Sequence, residues 1–180
     1  FSSDKEPQHC ETIRENFPEC KSHPIDVNEL TVKKIQETTG HKKYDLLYGG
    51  PPCQAFSILG RRNSFEDPRG KLVYEYARLI KELKPRAFLF ENVPGLLTVN
   101  KGKDWKELLQ FFEEETHYKL YDQILNSADL GIPQIRRRVF IVGFRSKKTK
   151  FSFPVQTHKS TNGHPTLFDN GLPSWLPSKM

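Results

Sequence analysis

Apolar residues along this chain fall into two kinds of segment. Short continuous runs bounded by breakers predict buried strands: Leu46-Leu47-Tyr48 before Gly49-Gly50, Ala87-Phe88-Leu89-Phe90, Tyr118 to Leu125, and Val139 to Phe144. Between them the period lengthens to that of a helix. Leu72, Val73, Tyr76, Leu79, Ile80 and Leu83 form one stripe, ended by Lys84-Pro85; Trp105, Leu108, Leu109 and Phe112 form another on a helix starting near Asp104. Strands alternating with helices predict an α/β doubly wound fold, a parallel sheet flanked by helices. The stripes read as core.

Chemistry gathers where the strands end. The first run delivers Cys53 on Gly49-Gly50-Pro51-Pro52-Cys53-Gln54, a stiff loop at the carboxyl edge of a strand, where open α/β sheets bind their ligands. A lone cysteine is more often inert packing, so position alone does not settle its role. The second run ends in Glu91-Asn92-Val93-Pro94, placing a carboxylate at the same edge. Desolvation there favours the neutral acid, and a neutral acid is a proton donor. In Gln134-Ile135-Arg136-Arg137-Arg138, leading into the last strand, Arg136 and Arg138 occupy alternate positions and so share one face.

In this order the three segments resemble the DNA (cytosine-5)-methyltransferase family, whose catalytic half carries Pro-Cys-Gln, then Glu-Asn-Val, then Gln-x-Arg-x-Arg. The resemblance runs from about Ser2 to about His158 and takes in Asp67-Pro68-Arg69-Gly70-Lys71-Leu72 ahead of a helix and Asn126 to Pro133 before the arginines. It implies a Rossmann-like S-adenosylmethionine-dependent methyltransferase fold, here incomplete, and methyl transfer from S-adenosyl-L-methionine to carbon 5 of cytosine, as in restriction-modification enzymes. Cys53 would add to carbon 6 of a base turned out of the duplex, because carbon 5 is otherwise a poor nucleophile. Glu91 would hold ring nitrogen 3, Arg138 would bind the 2-carbonyl and steady Glu91, and Arg136 would lie beside Cys53. Gln54, Ser57, Arg61, Arg62 and Arg69 would face the nucleic acid, the arginines on a basic loop from Ile58 to Gly70 that closes over the phosphates.

The same resemblance implies a cofactor site. Ser2-Ser3-Asp4 matches a strand end whose carboxylate grips the ribose hydroxyls, with aspartate for the usual glutamate and Lys5 for the usual bulky apolar neighbour. Asp26-Val27 matches the segment that accepts from the adenine amino group, and Leu72 would pack on the cofactor. The glycine-rich Phe-x-Gly-x-Gly loop of the family does not occur.

Charge changes this picture little. A formal net charge of +6 over 180 residues and a pI near 9.2 suit a polyanionic partner, duplex DNA. Three cysteines and no long apolar span point away from a disulfide framework or a membrane and toward an intracellular site, bacterial cytoplasm or eukaryotic nucleus. His9, Cys10, Cys20 and His23 lack paired Cys-x-x-Cys spacing, so no metal is expected. Residues 1–146 read as a partial catalytic core, and 147–180 as a proline-rich linker toward an absent target-recognition domain. The missing parts would come from flanking segments or a complementing polypeptide. Two other readings stay open: a transfer-RNA cytosine-5 methyltransferase using the same residues, and a catalytically silent methyltransferase-like subunit.

Overall fold

The structure, a computed structural model, describes residues 1–52, 68–159 and 172–175. Six strands and four α-helices are placed among them: β1 (Ser2–Asp4), α1 (Pro7–Asn16), β2 (Ser22–Pro24), α2 (Val32–Thr39), β3 (Leu46–Gly49), α3 (Pro68–Leu83), β4 (Ala87–Asn92), α4 (Lys103–Thr116), β5 (Lys119–Asn126) and β6 (Arg137–Phe144). Short 3-10 turns at Val27–Glu29 and Ser127–Leu130 follow β2 and β5.

Four strands form one sheet in the order β3-β4-β6-β5, with β3 parallel to β4. β6 runs antiparallel to both its neighbours. This corrects the expectation of helix after every strand in a parallel sheet. A parallel crossover needs about a dozen residues or more, usually with a helix; the link between β5 and β6 carries only a 3-10 turn, and the chain doubles back. β1 and β2 form a separate parallel pair, in register Asp4 with Pro24.

The core lies between one face of the large sheet and helices α3 and α4. Alternation along β4 buries Phe88, Phe90 and Asn92 on that side. Val73, Tyr76, Ala77 and Ile80 of α3, with Trp105, Leu108 and Phe112 of α4, close over them. The rings pack edge to face: Tyr76 against Phe88 at 6.3 Å and against Phe112 at 6.2 Å. Gly143 is glycine for want of space, since a Cβ there would lie 2.0 Å from the Phe88 ring. A smaller cluster, Leu30, Ile35, Leu79 and Leu83, joins α2 to the other flank of α3. α2 is fixed at both ends, by Thr31 Oγ1 accepting from the Lys34 amide at 3.2 Å and by Gly40 at φ +73°.

Candidate active site

β3 and β4 are parallel and in register, Gly49 beside Phe90, so their carboxyl ends leave the sheet side by side. Gly50-Pro51-Pro52 follows one and Glu91-Asn92 ends the other. Tyr76 pins the two together from beneath, its buried hydroxyl donating to the carbonyls of Leu47 at 3.3 Å and Leu89 at 2.9 Å. Asn92 pins them from the end. Its side-chain amide donates to the Pro51 carbonyl at 2.9 Å, while its Oδ1 accepts from the Val93 amide at 2.9 Å. The loop that leads into Cys53 is therefore held against β4 by the residue next to Glu91.

Alternation sends Glu91 to the face opposite Asn92. There Arg138 reaches it diagonally across the antiparallel β4–β6 pair, Nε to Glu91 Oε1 at 2.9 Å. The two side chains are 22% and 36% exposed, so the carboxylate is half-buried and ion-paired rather than stripped of water as expected from its strand end. Glu91 Oε2 faces Gly50, where a Cβ would come within 3.0 Å of it. Charge-assisted pairs of this kind orient a carboxylate as well as stabilise it.

β6 begins at Arg137, so Arg136 lies in the preceding turn with an exposed side chain. Its backbone is engaged: its amide donates to Asn126 Oδ1 at 3.2 Å, and its carbonyl accepts from the Ser127 amide at 3.0 Å. Cys53, Gln54, Ser57, Arg61 and Arg62 lie outside the described residues. Arg69 falls in the first turn of α3. The basic segment read as a loop as far as Gly70 thus gives way to helix at Pro68, where proline's fixed φ suits a first turn.

Two of the residues assigned to the cofactor lie at one edge of the small sheet. Asp4 ends β1 and Asp26 follows β2, at the same edge of that parallel pair. Asp4 Oδ1 accepts from the Glu6 amide at 2.9 Å, and Oδ2 lies 3.2 Å from His9 Nδ1. The backbone amide of Asn28, at 2.8 Å, and its side-chain amide hold the Asp26 carboxyl below the ordinary carboxylate range, helped by the positive charges of Lys5 and Lys71. Val27 packs on the Leu30–Ile35–Leu79–Leu83 cluster, and Leu72 is half-buried. Cavities of about 230 Å³ beside Tyr74 and Phe111 and about 400 Å³ beside Arg86 and Arg145 lie away from these residues.

Sequence reasoning gave Asn92 and Tyr76 no part in the site. Asn92 carried a signal, a polar residue at an alternate position whose partners are buried phenylalanines. Tyr76 carried none beyond a core stripe, because its hydroxyl acts on backbone carbonyls far away in sequence.

Residues 1–170 match the family model for C-5 cytosine-specific DNA methylases. The chain is 39% identical over 168 residues to the type II methyltransferase M.AquIA of Picosynechococcus sp., covering 88% of this chain and 67% of that protein. It is 42% identical over 175 residues to the type II methyltransferase M.FnuDI of Fusobacterium nucleatum, covering 92% and 49%. Among solved structures it resembles an E. coli prophage-encoded protein described as a DNA modification methyltransferase, with a TM-score of 0.68 and 28% identity over 83% of this chain and 41% of that one. The chain thus spans between two fifths and two thirds of these relatives, and its fold is the Rossmann-like one of S-adenosylmethionine-dependent methyltransferases. The chain belongs to the C-5 cytosine-specific DNA methylase family.

Proposed function

We propose that the complete protein transfers a methyl group to carbon 5 of cytosine in duplex DNA, and that residues 1–146 carry the reacting groups. The observation that carries this reading is the Glu91–Arg138 ion pair facing the glycine-proline loop that leads into Cys53. The Cys53 thiolate adds to carbon 6 of the extruded base, forming the S–C6 bond and moving the ring electrons toward carbon 5. With the base bound, Glu91 donates its carboxyl proton to ring nitrogen 3 and favours that shift, while the Arg138 guanidinium holds the carboxylate so formed and meets the 2-carbonyl. Once carbon 5 is methylated, a base removes its proton and the C6–S bond breaks, restoring the thiolate.

S-adenosyl-L-methionine supplies the methyl group. The donor set fits it: two carboxylates at one edge of a parallel pair, one of them held ionised, are acceptors for ribose hydroxyls and an exocyclic amine. Asp4 and Asp26 would hold those groups, with Val27 and Leu72 as apolar walls. Gln54, Ser57, Arg61, Arg62, Arg69 and Arg136 contact the DNA.

We also propose that further segments, in the same chain or a complementing polypeptide, complete the sheet. β3 is an edge strand whose Leu46 and Tyr48 are 53% and 66% exposed, and β1–β2 stands as a separate parallel pair. An additional parallel strand would join them and bring the glycine-rich loop to the edge that holds Asp4. Residues 147–180 lead toward a target-recognition region. The working protein acts wherever the cell keeps its DNA; no helix among the described residues is long and apolar enough to cross a membrane.

The test is single-turnover methylation by the complete protein, on duplex DNA and transfer RNA side by side. Glu91→Gln should slow the chemical step at least roughly tenfold with DNA affinity within about twofold. Equal rates for mutant and wild type would remove Glu91 from the chemistry, and methylation of transfer RNA alone would replace DNA as the substrate.

A further inference from the structure

Asp129 sits in the 3-10 turn between β5 and the arginine segment, and the chain returns to it from two later places. Its backbone carbonyl accepts from the amides of Thr157 at 2.8 Å and His158 at 3.0 Å. Its carboxylate Oδ1 accepts from Trp175 Nε1 at 3.0 Å. These returning stretches are joined to each other, Lys159 amide to Pro173 carbonyl at 2.9 Å and Trp175 amide to Lys159 carbonyl at 2.8 Å. The His158 ring lies over Gly131, which has φ +84° and where a Cβ would be 2.7 Å from that ring. Together they form a strap closed on the turn.

The same carboxylate oxygen faces the active site through one intermediary. Asn126 Nδ2 donates to Asp129 Oδ1 at 3.3 Å, and Asn126 Oδ1 accepts from the Arg136 amide at 3.2 Å. Ser127 holds the Arg136 carbonyl through its amide at 3.0 Å and its hydroxyl at 3.3 Å. Two residues later Arg138 meets Glu91. A continuous path of hydrogen bonds therefore runs from the indole of Trp175 through Asp129 and Asn126 to the backbone that enters β6.

We infer that Asp129 and Trp175 are positioning residues for the arginine pair: the strap fixes the start of β6, and through it the guanidinium on Glu91. This deepens the proposed reading of the site and rests on it. Catalysis that depends on oriented groups is sensitive to shifts below an ångström, whereas substrate affinity spread over many contacts is not.

The experiment uses the complete protein in a Trp105→Phe background, where Trp175 fluorescence reports strap docking if the remaining segments contribute no tryptophan or theirs are likewise replaced. Asp129→Ala should lower kcat roughly tenfold with KM for DNA and cofactor affinity within about twofold, and shift Trp175 emission to the red. Asp129→Asn keeps an acceptor oxygen for the indole and should restore most of the turnover. Trp175→Phe keeps the ring, loses the N–H donor and should reproduce the kcat loss even if Asp129→Ala folds poorly. A red shift with unchanged kcat would overturn the proposal, as would loss of kcat with no rescue by asparagine. Arg138→Ala in parallel separates the levels: if it abolishes turnover while the Asp129 and Trp175 variants do not reduce it, only the strap proposal falls; if Arg138→Ala leaves turnover intact, the reading of the site falls first.

Discussion

Two adjacent glycines at the end of β3 separate catalysis from packing. A Cβ on Gly49 would lie 2.9 Å from the Tyr76 ring, which is 5% exposed and tied by its hydroxyl to two strands. That ring cannot yield without breaking its hydrogen bonds or pushing into Phe88 and Phe90. Gly49→Ala should therefore cost about 1–3 kcal/mol, the usual range for overpacking, which lowers Tm by roughly 2–4 °C per kcal/mol in a domain of this size. A Cβ on Gly50 meets something quite different, Glu91 Oε2 at 3.0 Å and the Glu91 carbonyl at 3.4 Å. The carboxylate is the free end of a flexible side chain and can retreat by a few tenths of an ångström, so Gly50→Ala should cost less than about 1 kcal/mol. The retreat turns the carboxylate away from its alignment with Arg138. Turnover should fall about 10- to 100-fold while the fold stays intact, since reacting groups tolerate little misplacement. Thermal melts and single-turnover methylation on both variants of the complete protein read the two effects separately. Wild-type turnover in Gly50→Ala, or a larger loss of Tm there than in Gly49→Ala, would refute the reasoning.

Three more outcomes follow from single contacts. Tyr76→Phe removes a buried hydroxyl from the carbonyls of Leu47 and Leu89 and should lower stability by about 1–2 kcal/mol in denaturant titration; no change would mean that hydroxyl does not tie β3 to β4. Phe112→Ala empties the centre of the aromatic cluster against Phe88 and Phe90 and should cost about 3–5 kcal/mol, enough to unfold a marginal domain near 37 °C. Asp26 has its folded-state value depressed by the Asn28 amides, so its stabilisation is fully present above the unfolded value of about 3.9 and is lost as pH falls through the depressed one. The Tm difference between wild type and Asp26→Ala should thus be largest near neutral pH and close on acidification below about pH 4, and a difference that widened in acid would contradict the sign.

Much of the scaffold was legible because it rests on local periodicity. The runs Ala87–Phe90 and Val139–Phe144 and the stripe from Leu72 to Leu83 are the elements that pack, and α3 ends at Leu83, just ahead of Lys84-Pro85. The direction of β6 was not legible, because nothing in an apolar run says which way it points; only the short link after β5 bears on it. α3 starts at Pro68, ahead of the apolar stripe, and that start was not legible because the polar, basic residues before Leu72 carry no helical period, even though proline suits a first turn. Glu91 and Arg138 were each visible as charges at strand ends, but their meeting depends on the β4–β6 register, which brings Glu91 opposite Phe140 and Arg138 one step diagonal to it. Long-range clamps left the least trace. Asn92 on Pro51, Tyr76 on two carbonyls and Trp175 on Asp129 each join residues between 13 and 46 positions apart through ordinary polar atoms, and of the three only Asn92 leaves a local sign, its alternation with buried phenylalanines, which does not name its partner.

In the proposed reaction Cys53 attacks the base beside the Glu91–Arg138 pair, and covalent trapping is the sharpest check of that step. Duplex DNA carrying 5-fluorocytosine at the target position blocks removal of the group at carbon 5, so the S–C6 bond persists and the protein should migrate as a covalent complex, with Cys53 identified as the linked residue by peptide mass. The complete protein should form that complex in the presence of S-adenosyl-L-methionine, and Cys53→Ser should form none while still binding the DNA. A covalent complex that persists in Cys53→Ser, or maps to another residue, would contradict the account.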